Sequence, residues 1–212
     1  KEKAERIQTM LEKLYPETPV PLDHETPFQL LIAVLMSAQT TDLKVNQVTP
    51  ELFKQGPTPE KMAMLEVSKI QSLIREVGLA PTKAKNIVKT ARQLCEHHQG
   101  EIPEDSEALQ ALPGVGRKTA NVLLNTAFGH PVIAVDTHVF RVSNRTGLAR
   151  GKTVEEVERK LARNVPPNWR KDAHHYLILQ GRYTCKARKP LCGKCPVLHE
   201  CSYPNKEIQK VN

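Results

Sequence analysis

Apolar residues recur at helical spacing along nearly the whole chain, and capping signals separate the segments that carry them. Thr26-Pro27 opens a strongly apolar stretch running to about Gln39. Thr58-Pro59, Ser68 and Pro81-Thr82 open further short helices, proline standing in the first turn, where its missing N–H costs nothing. Gly56, Gly78 and Gly100 mark helix ends. Only residues 131–135, Pro-Val-Ile-Ala-Val, read remotely like a strand. This pattern predicts an all-α fold. It contains no repeat of fixed period, no low-complexity tract and no long linker, so two lobes would share an interface rather than hang as beads.

A chain of 212 residues buries enough apolar surface to fold without disulfides. Four of the five cysteines nevertheless crowd into residues 185–201, which is the distribution of a metal site in a reducing compartment. Cys95, alone in a helical context, reads as an inert packed thiol. The longest apolar stretch, residues 30–36, falls far short of the ~20 residues of a membrane span, and no cleavable signal pattern opens the chain. The expectation is a soluble protein, cytoplasmic and associated with the bacterial nucleoid if the chain start, a lysine rather than a methionine, is near the native one.

The net charge of +8 arises from 31 Lys and Arg against 23 Asp and Glu, and it favours polyanionic partners, nucleic acid first among them. Leu112-Pro113-Gly114-Val115-Gly116 gives that charge a place to act. It lies between a helix starting near Ser106 and another running from about Arg117 to Ala127, so it reads as a helix-hairpin-helix. Two glycines two residues apart let the backbone turn tightly and present N–H groups from a helix N-terminus, which is a phosphate seat. Gly114, Val115, Gly116 and Arg117 are the expected DNA contacts there, and such a hairpin grips the backbone without reading sequence. The plainer alternative is a tight turn between packed helices.

Lys118 follows in the first turn of the helix that the hairpin opens. The helix dipole and the adjacent Arg117 both disfavour its positive charge. A lysine so placed suits nucleophilic chemistry, because lowering a pKa of ~10.4 by ~2 units raises the neutral fraction about a hundredfold at neutral pH. A lysine that touches a phosphate is the competing reading. In Val135-Asp136-Thr137-His138, Asp136 stands where an extended segment enters a helix. It reads as an N-cap, and a carboxylate in that position could also shuttle protons and stabilise a sugar cation.

Cys185-x6-Cys192-x2-Cys195-x5-Cys201 is a strong metal-ligand pattern. Structural zinc also takes four cysteines, but zinc ribbons pair two C-x2-C knuckles and only one is present, which favours a [4Fe–4S] cluster. Lys186, Arg188, Lys189 and Lys194 decorate the intervening loops, so the cluster would stiffen a basic surface, with Lys189 as a DNA contact.

With residues 112–120 (Leu-Pro-Gly-Val-Gly-Arg-Lys-Thr-Ala), Val135-Asp-Thr-His138 and the cysteine spacing in order, the chain closely resembles the endonuclease III family of DNA glycosylases with lyase activity, over essentially its whole length. The resemblance implies a two-lobed helix-hairpin-helix glycosylase fold. A six-helix domain spans about residues 20–130, and residues 1–19 with 131–212 form the lobe that holds the cluster. It further implies a monomer acting on double-stranded DNA that contains oxidised pyrimidines or abasic sites, with the damaged nucleotide flipped out of the stack. Lys118 and Asp136 are then the catalytic pair facing one cleft, with Lys118 the attacking amine. Gln39 resembles the residue that fills the gap left by the flipped base, Leu79 a wedge opposite it, and Asp42 and His138 pocket residues. An adenine glycosylase of the same superfamily typically lacks the lysine and carries a further C-terminal domain. A non-catalytic DNA-structure-binding module would need neither Lys118 nor Asp136.

Overall fold

The computed structural model describes residues 1–16 and 22–207. Among them every regular element is helical and no strand occurs. The chain divides into two compact units, Val20–Phe128 on the one hand, and Lys1–Pro19 with Gly129–Asn212 on the other. The boundary expected at residue 20 falls outside the described residues.

The first unit is built on α2 (Pro27–Ser37), which follows α1 (Glu2–Leu14) in the chain. Eight of the eleven residues of α2 are buried, so it is apolar on every side and must be wrapped by neighbours. The wrapping helices are α3 (Asp42–Gln55), α6 (Ala80–His98) and α8 (Arg117–Thr126). Short helices α4 (Pro59–Ala63) and α5 (Val67–Leu73) pack on α6, and α7 (Ser106–Gln110) on α8. Thr26, Thr41, Thr58 and Asp105 accept first-turn amides and fix where α2, α3, α4 and α7 begin.

Several sequence expectations shift. α2 stops at Ser37, because Ala38 turns extended and Gln39 adopts a left-handed conformation with φ 55°. Ser68 lies inside α5, whose N-cap is Glu66. Pro81-Thr82 opens no short helix: α6 starts at Ala80 behind a left-handed Leu79 and runs 19 residues, the longest helix described. Gly78 ends no helix, since α5 is over at Leu73, and it serves close contact instead. Residues 131–135 contain no strand, although Ile133, Ala134 and Val135 are buried as a strand would bury them.

The second unit gathers α1, α9 (Thr137–Thr146), α10 (Val154–Asn164) and α11 (Pro167–Leu179). Ile7 and Leu11 of α1, Val139 and Val142 of α9, Val157 and Leu161 of α10, and Trp169, Ala173 and Leu177 of α11 form one core. Trp169 is fully buried and stacks on Tyr176. α11 runs directly into a π-helical turn, Gln180–Thr184, and from there into the cysteine loop. A π-turn is a local irregularity of the kind that marks functional sites.

Candidate functional site

The hairpin turn is built as its glycines require. Gly114 has φ +80°, and a Cβ there would stand 2.9 Å from Asn86 Nδ2 of α6, so both conformation and space call for glycine. Thr90 Oγ1 of α6 donates to the Pro113 carbonyl at 3.2 Å and pins the turn to the core. Val115 holds the turn from within. Its side chain is buried, and its amide donates to the Leu112 carbonyl at 3.1 Å, so it anchors the turn instead of offering a donor. Gly116 is the N-cap of α8 and supplies no side-chain cap, and nothing lies within 4 Å of its would-be Cβ. The first amides of α8 have no acceptor within the helix, the arrangement that seats a phosphate. Arg117 and Lys118, both exposed, stand in that first turn.

Gln39 and Leu79 are brought together. Both are exposed, both are left-handed without being glycine (φ 55° and 60°), and the loops that carry them touch. A Cβ on Gly78 would stand 3.0 Å from the Gln39 carbonyl, and the Gly78 amide donates to Thr40 Oγ1 at 3.1 Å. Leu79 is 55% exposed, an apolar side chain held out toward solvent. Asp42 opens α3 just beyond, half-buried.

In the second unit Asp136 is the N-cap of α9, accepting the Val139 amide at 2.8 Å, and it is half-buried. His174, buried in α11, meets the Ala134 carbonyl through Nδ1 at 2.7 Å and so fixes the segment that delivers Asp136. His138, Arg141 and Arg145 follow on α9 at helical spacing. Arg141 donates to the Gly181 and Cys185 carbonyls, each at 2.9 Å, and its Nη2 meets His138 Nδ1 at 3.1 Å. Arg145 donates to the Lys186 and Ala187 carbonyls and stacks on Tyr203. None of these braces was found from the sequence. The arginine spacing on α9 was the available signal.

Cys185, Cys192, Cys195 and Cys201 line one apolar cavity with Leu191, Val197 and Leu198. Two donors are aimed at sulfur: Arg145 Nη1 to Cys185 Sγ at 3.5 Å and Gln180 Nε2 to Cys195 Sγ at 3.2 Å. Burial pushes the Cys195 thiol up to about 11, so a thiolate there requires a metal charge beside it. No group of three or more His, Cys, Asp or Glu among the described residues gathers tightly enough for a single ion. A four-iron cluster spreads its thiolates around a larger body, and a cavity walled by four cysteines with sulfur-directed donors fits it. Lys189 is exposed in this loop, itself left-handed at φ 49°. Cys95 lies half-buried in α6, its thiol pKa raised chiefly by burial. No helix among the described residues is long and apolar enough to cross a membrane.

Comparison with known proteins agrees with this architecture. Residues 32–167 match the model of the HhH-GPD superfamily base excision DNA repair protein, and residues 185–201 that of the iron-sulfur binding domain of endonuclease III. Endonuclease III of Escherichia coli (strain K12) is 54% identical over 206 residues, covering 96% of this chain and 98% of that one. Endonuclease III of Bacillus subtilis (strain 168) is 46% identical over 209 residues, covering 97% and 95%. A solved non-covalent endonuclease III–DNA complex superposes with a TM-score of 0.88 at 44% identity, covering 98% of this chain and 99% of that one. A trapped endonuclease III–DNA covalent intermediate gives 0.86 at 45%, covering 93% of each. The chain belongs to the endonuclease III family, within the HhH-GPD superfamily of base excision DNA repair proteins, and is a DNA-binding member with a [4Fe–4S] cluster.

Proposed function

We propose that Lys118 is the nucleophile of a DNA glycosylase that also cuts the strand, and that Asp136 manages its protons. The protein acts in base excision repair as a bifunctional glycosylase and abasic-site lyase on oxidised pyrimidines such as thymine glycol. The observation that carries the assignment is the place of Lys118: exposed, in the first turn of an uncapped helix, directly after the phosphate-seating hairpin. An amine there sits beside the bound backbone, within reach of a sugar.

The neutral amine attacks C1′, the bond from C1′ to the base breaks, and the base leaves with the electron pair and takes up a proton. The nitrogen lone pair then opens the sugar ring, the C1′–O4′ bond breaking and O4′ taking up a proton, and the resulting protonated imine acidifies the C2′ hydrogen. Its removal drives β-elimination, which breaks the bond to the 3′ phosphate, and water then releases Lys118. A carboxylate at Asp136 relays these protons and stabilises the sugar cation. The relative trapped as a covalent intermediate with DNA supports this chemistry.

Gly114, Gly116 and Arg117 hold the phosphates, the Val115 side chain keeps their turn in shape, and Lys189 adds a contact from the cysteine loop. Gln39 fills the place of the flipped base and Leu79 wedges the opposite strand, while Asp42 and His138 line the pocket. Cys185, Cys192, Cys195 and Cys201 ligate the cluster, which makes the loop a rigid basic platform. Residues 20–130 act as the hairpin domain, and residues 1–19 with 131–212 as the cluster domain, of a monomer working in the reducing compartment that holds the DNA.

The test is incubation with a thymine-glycol duplex and sodium borohydride, which reduces the imine to a stable amine link. An adduct from the intact protein that vanishes in Lys118→Ala supports the mechanism. Tight binding without an adduct, in protein with its full cluster, overturns the lyase and leaves a monofunctional glycosylase or a binding module.

A further inference from the structure

Lys83 belongs to none of the motifs that point to chemistry. It is 6% exposed, on the buried face of α6 that Ala84, Ile87 and Ala91 continue. Its ammonium donates to three neutral oxygens: the Met36 carbonyl at 2.7 Å, the Ala38 carbonyl at 2.5 Å and Thr40 Oγ1 at 3.1 Å. Burying an ammonium among neutral groups is costly, and burial lowers the Lys83 pKa. An apolar side chain would fill the same space without that cost. What it could not do is satisfy the carbonyls left open where α2 ends, at the negative end of that helix dipole.

The acceptors are informative in their own right. Met36, Ala38 and Thr40 bracket Gln39, and Thr40 Oγ1 accepts the Gly78 amide next to Leu79 as well as the lysine. Lys83 itself lies one turn after Leu79, its amide donating to the Leu79 carbonyl at 3.0 Å. One ammonium therefore ties together two loops whose exposed tips are left-handed without glycine. That conformation is disfavoured for a residue with a Cβ, and it persists only where the surroundings over-determine it.

We infer that Lys83 is a positioning residue whose ammonium locks the Gln39 loop to the Leu79 turn, so that filler and wedge are presented to the duplex as one rigid unit. The inference rests on the roles proposed for Gln39 and Leu79. Without the brace each tip relaxes toward right-handed backbone and its side chain swings away, while the hairpin, Lys118 and the cluster keep their places. The loss therefore falls on opening the duplex, not on binding it.

Two readouts separate these effects: the single-turnover rate of thymine-glycol excision from a paired duplex, and the fluorescence of 2-aminopurine opposite the lesion, which rises when that base leaves the stack. Lys83→Ala should slow excision about tenfold or more, the value of a charged hydrogen bond set. In a Lys118→Ala background it should abolish most of the fluorescence rise while DNA affinity stays within about twofold. Thr40→Val, which cuts the link to Gly78 and one of the three lysine contacts but leaves the ammonium on the Met36 and Ala38 carbonyls, should show the same pattern more weakly. It decides the question if Lys83→Ala does not fold, as judged by melting and by absorbance near ~400 nm. Added to a Gln39→Ala, Leu79→Ala double variant, Lys83→Ala should cost nothing further. A full fluorescence rise in Lys83→Ala and Thr40→Val, or a loss in affinity that accounts for the slower rate, overturns the inference. Full excision by the Gln39→Ala, Leu79→Ala variant overturns instead the reading of those two tips on which it rests.

Discussion

Asp136 caps α9 and is also the proposed proton carrier, and a pair of substitutions separates the two roles. As the N-cap of α9 its carboxylate accepts the Val139 amide at 2.8 Å. Removing such a cap costs about 1 kcal/mol, which in a protein of this size lowers Tm by about 2–4 °C. Asparagine caps as well as aspartate does, so Asp136→Asn should melt close to the parent, and Asp136→Ala a few degrees below it. Proton transfer behaves otherwise. An amide neither takes nor gives the proton, so both variants should lose about 10²- to 10⁴-fold in single-turnover excision. The cap cannot produce that loss, because a change of ~1 kcal/mol in folding leaves a stable protein almost wholly folded. Melting curves and excision kinetics on the same preparations give the comparison. Asp136→Asn that excises within a few-fold of the parent would refute the catalytic role and leave Asp136 a structural cap alone.

The two hairpin glycines should fail differently: Gly114→Ala, left-handed and 2.9 Å from Asn86, lowers Tm, whereas Gly116→Ala melts normally and weakens DNA binding by crowding the phosphate seat. Fluorescence anisotropy beside thermal melting distinguishes them. Affinity should fall steeply and linearly on a log scale as salt rises, and a flat dependence would count against phosphate-dominated docking. Serine at any one of Cys185, Cys192, Cys195 or Cys201 should reduce the absorbance near ~400 nm of the purified protein, and undiminished colour would remove that residue from the ligand set. Desolvation holds the His175 pKa below its ordinary value, only partly offset by Asp172, so the folded state resists protonation. Stability should therefore decline as pH falls below about 6.5 toward the folded pKa, and His175→Gln should flatten that slope in melting curves.

Helix type and hairpin could be read from the chain because local chemistry decides them. Thr26, Thr58 and the glycines of the hairpin do in the structure what their side chains, or lack of them, favour anywhere. Where helix limits moved, a tertiary contact had overridden the local signal. Where α2 ends, Lys83, far along the chain, takes the Met36 and Ala38 carbonyls, and nothing in Ser37-Ala38-Gln39 announces that. α6 begins before Pro81 because proline is tolerated within a first turn as well as at its opening. Val115, between two glycines, carries the one side chain of the three able to fasten the turn to the core.

At the site, the candidate reactive groups were legible and their supports were not. Lys118 and the cysteines stand out because each breaks an expectation of charge or composition within a few residues of sequence, and Asp136 because it meets a capping signal. Lys83, His174 and Arg141 act by reaching distant carbonyls, and the identity of those partners has no local signature. Lys83 did leave a trace, a lysine in register with Ile87 and Ala91 on the apolar stripe of α6, which is where a charge is least expected. Gln39 and Leu79 show why that trace matters. A left-handed glutamine and a left-handed, exposed leucine are each unfavourable alone, and both occur on loops fastened to one buried ammonium. Local rules are broken there twice at one place, and a fold that carries such strain needs a dedicated brace to keep it.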